Sequence, residues 1–121
     1  MKNMKKLSIL IALTALVAAA PLVQAEEMTW TGEVLDLACY VAKGAKGAEH
    51  ADCAKKCVKA GPPLGLLTDD GTVVLLAADH ADAAPYEALK DWAGSQVMVT
   101  GEMVERDGMT MVTVTGSEAA G

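Results

Sequence analysis

Three cysteines and one histidine gather in a short stretch of the chain: Cys39, His50, Cys53 and Cys57. They are all of the cysteines and one of the two histidines, spaced C-x10-H-x2-C-x3-C. On a helix, positions 50, 53 and 57 follow the i, i+3, i+7 rule and line one face. Four soft or borderline donors suit Zn2+ as a Cys3His centre, or Cu(I) with fewer ligands. A helix rises about 10 Å between positions 50 and 57, and side chains lean toward its N-terminus, so His50 leans away from Cys57. Cys53 and Cys57 share a metal easily. His50 joins them only where the helix begins just after it, which Asp52 as N-cap would allow.

Whether these thiols are oxidised depends on where the chain resides, and its first residues speak to that. Lys2, Lys5 and Lys6 precede an apolar run from Leu7 to Ala20, then Pro21 and the small-residue pattern Val23-Gln24-Ala25. A basic start, a short apolar segment and an A-x-A-like site describe a secretory signal peptide over residues 1–25. The run is shorter than the roughly 20 residues needed to span a bilayer. The expected product is a single domain over residues 26–121, periplasmic or secreted.

An exported domain meets oxidising conditions, where a disulfide adds about 2–4 kcal/mol to a small core. A Cys53–Cys57 bridge within one helical turn is strained. The disulfide reading therefore pairs Cys39 with Cys53 or Cys57 and leaves one thiol over, an uncommon remainder in a secreted protein. Metal site and disulfide both stay open. There is no C-x-x-C with a βαβ pattern to suggest a thioredoxin-like enzyme, and no C-x-x-C-H for covalent haem.

Other candidates are weaker. His80 lies in ADHADAAPYE between Asp79 and Asp82, where a loop histidine is more often only solvated. Met98, Met103, Met109 and Met111 crowd the end of the chain. Met109 and Met111 share a strand face and could offer thioethers to Cu(I), but in a chain without Phe methionine more often fills the core. Asp36, between Leu35 and Leu37, is expected to be exposed on the outer face of its strand. No Ser–His–Asp set, phosphate loop or catalytic carboxylate pair is legible, so no catalytic residue is assigned and the domain reads as non-enzymatic.

The elements that must position the cluster follow from patterning. Residues 30–40 (TWTGEVLDLACY from 29) are rich in β-formers, with Leu35, Leu37 and Cys39 on one strand face and Gly32 permitting a bend. Residues 42–47 read as a loop. Residues 48–60 (AEHADCAKKCVKA) lack Gly, Pro and alternation, carry lysines toward their end, and predict a helix stopped by Gly61-Pro62-Pro63. The Asp-Gly turn at 70–71 joins two apolar strands, residues 64–67 and 72–77. Pro85 opens a second helix that Gly94 ends, with Tyr86, Leu89 and Ala93 on one face. A second hairpin, residues 96–105 and 109–115, turns at Arg106-Asp107-Gly108.

The order is strand, helical insert, two strands, helix, two strands. With the insert at about 42–63 set aside, residues 30–40 and 64–115 resemble the OB-fold, a five-stranded Greek-key barrel with a helix between its third and fourth strands. The resemblance rests on element order and turn placement, and small secreted bacterial proteins with OB-like barrels are the group it suggests. It implies a fold class, all-β with helices, and assigns no site residue.

Composition then narrows the function. All 16 acidic residues but only 7 of the 10 Lys and Arg lie beyond residue 25, leaving a net charge of −9 there. Such a charge disfavours nucleic acid and anionic lipid as partners. Single-strand binders need a basic groove and stacking aromatics, and only Trp30 and Tyr40 lie on the expected strands. The reading is an exported binding module whose cluster holds Zn or Cu(I) for structure, storage or delivery. The alternative is a disulfide-stabilised domain that binds another exported protein.

Overall fold

A computed structural model describes residues 27–121; the expected signal peptide lies outside the described residues. Five strands form a closed barrel: β1 (Glu27–Asp36), β2 (Leu64–Thr68), β3 (Val73–Ala78), β4 (Gln96–Arg106) and β5 (Met109–Ala119). The spatial order is β1-β2-β3-β5-β4, and β4 pairs back to β1. All pairings are antiparallel except β3 with β5, which is parallel. This is the OB-like barrel expected from the element order.

Alternation explains its filling. Val97 and Val99 on β4, and Val112 and Val114 on β5, sit two residues apart and are fully buried inside. Helix α3 (Ala84–Leu89), opened by Pro85, continues into a 3-10 turn and places Leu89 and Ala93 in the same core, with Tyr86 packed against it. Gly32 pairs with both Thr68 and Val97, so β1 is held from both sides there; a Cβ at Gly32 would stand 2.3 Å from the Leu67 carbonyl oxygen. The β4–β5 turn places Asp107 and Gly108 at positive φ, as a two-residue hairpin loop requires.

The methionines do not fill this core, contrary to expectation. Met109 is 64% exposed and Met103 37%. On β5 the inward positions are Val112 and Val114, so the odd-numbered Met109 and Met111 fall on the outer face. The core is built from Val, Leu and Ala, flanked by Trp30, Tyr86 and Trp92.

The largest departure lies where β1 ends. The strand stops at Asp36, and residues Leu37–Lys43 form helix α1 instead of continuing it. Asp36 is the N-cap, accepting a hydrogen bond from the Cys39 amide, and Gly44 closes the helix in the left-handed conformation with its N–H donated to the Tyr40 carbonyl. Two caps override the β-propensity of Leu-Ala-Cys-Tyr-Val. A 3-10 turn (Ala48–His50) then leads into helix α2 (Ala51–Lys59), so the helix expected over 48–60 begins three residues later.

Residues 37–63 thus form a two-helix insert in the β1–β2 connection, pinned at its base by the Asp36–Leu64 pair and by the Leu37 amide donating to the Pro63 carbonyl, 3.1 Å. The Gly47 amide donates to Glu33 Oε2 at 2.8 Å and ties the inter-helix loop to β1. Ala54 and Val58 anchor α2 in the barrel core. Gly94, at φ +83°, lets the start of α2 sit on it: a Cβ there would meet Ala51 Cα at 2.7 Å. Among the described residues no helix is long and apolar enough to cross a membrane.

Candidate metal centre

The pinned base of the insert decides which groups meet. Cys39 lies one helical turn after Asp36, and Cys57 lies one short segment before the strand that pairs with Asp36. An antiparallel pairing that closes at Asp36–Leu64 therefore brings both cysteines back to the same carboxylate. One oxygen of Asp36 and the Sγ atoms of Cys39 and Cys57 lie within 4.8 Å of one another. With metal–sulfur bonds of about 2.3 Å, tetrahedral donors stand roughly 3.8 Å apart, a spacing of the same order.

Asp36 is 2% exposed, which corrects the expectation of an outward-facing strand residue. Val34, Leu35 and Asp36 are buried in succession, and three consecutive buried strand residues require cover on both faces. The insert supplies that cover. Oδ1 caps the Cys39 amide at 3.1 Å, while Oδ2 is buried with no hydrogen-bond partner. A buried carboxylate oxygen without a partner is costly, and a bound cation would satisfy it.

The carboxylate also acts on the thiols. The Asp36 carboxylate beside the Cys39 side chain favours the protonated thiol and raises its pKa, and burial and the carboxylate's charge push in the same direction. The Cys57 pKa is likewise raised, first by the neighbouring Cys53 thiol and then by burial and by negative charge nearby. Both thiols therefore favour the protonated form without a cation. A cation reverses that preference, because it pairs with two thiolates and a carboxylate at once.

Of the four residues singled out from the sequence, the structure brings Cys39 and Cys57 into this group and leaves His50 and Cys53 outside it. Helix α2 does begin immediately after His50, the condition for its joining, but Asp52 is exposed and does not cap it. His50 Nε2 is buried without a hydrogen-bond partner, the second such side-chain atom among the described residues. Cys53 is exposed, one turn before Cys57 on the same helix face. All three cysteines are free thiols.

The third donor, Asp36, was missed by the sequence reading. Its signal was an aspartate at a strand end, three residues before a cysteine and eight before a glycine, which describes a capped helix as well as a strand. His80 is exposed; its neighbours Asp79 and Asp82 accept from the Ala81 and Ala84 amides and serve the turn into α3. Met109 and Met111 lie on the β5 outer face and are not part of the donor group. Comparison with protein-family models, curated proteins and solved structures found no match.

Proposed function

We propose that the domain is an exported, non-enzymatic binding module that holds one soft or borderline metal ion, Zn2+ or Cu(I), on Cys39, Cys57 and Asp36. The observation that carries this reading is the convergence of two thiols on a buried carboxylate whose Oδ2 lacks a partner. Two thiolates and one carboxylate suit Zn2+ with a fourth ligand, and two thiolates alone suit Cu(I). His50, on the same insert and with its Nε2 also buried without a partner, is a reserve for that fourth position. Export rests on the pattern of residues 1–25, and an OB-like secreted family on the order of elements.

The test is native mass spectrometry of the protein purified without chelator, with thiols counted after acidification. A metal adduct lost in acid, leaving three free thiols, supports the reading. A metal-free mass lighter by two hydrogens would place a disulfide, Cys39 with Cys57 or Cys53, where the metal is proposed. That result would favour the alternative of a stapled domain binding another exported protein.

A further inference from the structure

We propose that Cys53 is the exchange ligand through which the metal leaves the site, and that the lysines of the insert select an anionic acceptor. The inference rests on the metal reading of Cys39, Cys57 and Asp36. That site has one deep wall and one open side: Asp36 is buried, Cys39 and Cys57 are half-buried, and Cys53 is exposed. Cys53 lies outside the compact three-donor group, one helical turn before Cys57 on the same face of α2. A thiol placed beside a ligand but nearer solvent is where an incoming acceptor first meets the metal.

The step is a ligand exchange without electron transfer. The Cys53 thiol gives its proton to the departing Cys39 thiolate as its sulfur bonds the metal and the metal–Cys39 bond breaks. The acceptor's donors then replace Cys57, Cys53 and the Asp36 carboxylate in turn, and the two freed thiolates take up protons from solvent. Three thiols and a carboxylate remain in the domain.

Charge separates the insert from the barrel. Five of the seven basic residues beyond residue 25, Lys43, Lys46, Lys55, Lys56 and Lys59, lie within residues 37–63, beside only Glu49 and Asp52. The remainder carries fourteen acidic residues against Lys90 and Arg106. Lys43, Lys46 and Lys56 are exposed, and Lys59 is engaged with Asp91 of the turn after α3 at 3.0 Å. The insert that carries the thiols is thus net positive, on an acidic body. Over a Debye length of about 8–10 Å it attracts a local acidic patch, whereas an extended polyanion also meets the barrel's own charge.

The experiment uses the reduced protein loaded with Co2+ as a spectroscopic stand-in for Zn2+, following loss of the thiolate-to-metal absorption. Two chelators serve as acceptors, EDTA (anionic) and TPEN (neutral). Cys53→Ser is expected to leave the affinity within about threefold and to slow transfer to both acceptors at least about tenfold, because the three-donor group is intact. Equal rates for Cys53→Ser and the parent would overturn the exchange role. So would an affinity loss beyond tenfold, which would make Cys53 a resident ligand.

Lys43→Glu/Lys46→Glu/Lys56→Glu is expected to slow transfer to EDTA roughly three- to tenfold at low salt, to leave TPEN unchanged, and to lose its effect near 1 M salt. Equal effects on both chelators, or none on EDTA, would overturn the acidic-acceptor half. Sedimentation showing a dimer of loaded protein that these variants dissolve would place a second copy on this face and overturn it too. Failure of the parent protein to bind Co2+, Zn2+ or Cu(I) would instead remove the metal reading itself.

Discussion

The Cys39 amide donates to Oδ1 of Asp36 over 3.1 Å, while Oδ2 of the same carboxylate is buried without a partner. One oxygen thus ends β1 and starts α1, and the other is left for whatever joins the two thiols beside it. Structure and binding are coupled at this side chain, and variants can separate them.

Asp36→Asn keeps an N-cap oxygen and nearly the same volume but removes the charge. It is expected to retain the fold and to weaken Zn2+ binding by tenfold or more. Asp36→Ala loses the cap as well, at about 1 kcal/mol in addition to the site. Denaturant titration alongside metal competition distinguishes the two. Equal metal affinity for Asp36→Asn and the parent would remove the carboxylate from the ligand set.

Metal binding must displace protons from Cys39 and Cys57, whose pKa values lie above the ordinary thiol range. Apparent affinity should therefore rise with pH, by about tenfold per unit for each thiol proton displaced. The apo protein has the opposite sign. A thiol pKa raised by folding contributes stability that is present below the unfolded value, about 8.5, and is lost as pH rises through the folded value. Denaturation midpoints between pH 7 and 10, with and without Zn2+, would diverge as pH increases.

Saturating metal should stabilise the domain by mass action, about 2.7 kcal/mol at a free concentration one hundred times the dissociation constant. Cys57→Ser should abolish that increment while changing apo stability little. A denaturation midpoint that rises equally in parent and Cys57→Ser would place the metal elsewhere.

Gly94→Ala tests the support of the insert. The position has φ +83°, and a Cβ there would meet Ala51 Cα at 2.7 Å at the start of α2. The expected cost is about 1–3 kcal/mol from backbone strain, with weakened metal binding because α2 carries Cys57. Leu89→Ala, in the plugging helix, should cost about 2–5 kcal/mol. Its metal affinity, measured below the unfolding transition, should stay nearer the parent value than that of Gly94→Ala, since α3 carries none of the three donors.

Much of this architecture was legible in the residues. The Asp70-Gly71 and Asp107-Gly108 turns, with Pro85 and Gly94 around the second helix, are local signals. Local signals sufficed for strand number and chain order, because turn chemistry acts over a few residues. The cysteine cluster was legible as chemistry, though not as geometry.

What only tertiary structure decided was the donor set. His50, Cys53 and Cys57 are neighbours by helical spacing, which selects a face but not what that face meets. The long-range pairing of Asp36 with Leu64 folds both ends of the insert back to one carboxylate and turns Cys53 outward. Asp36 read as an exposed strand residue because burial is a property of what covers a residue, and its cover comes from a segment later in the chain. The methionines likewise take their place from the parity of β5 in a closed barrel, which composition does not contain.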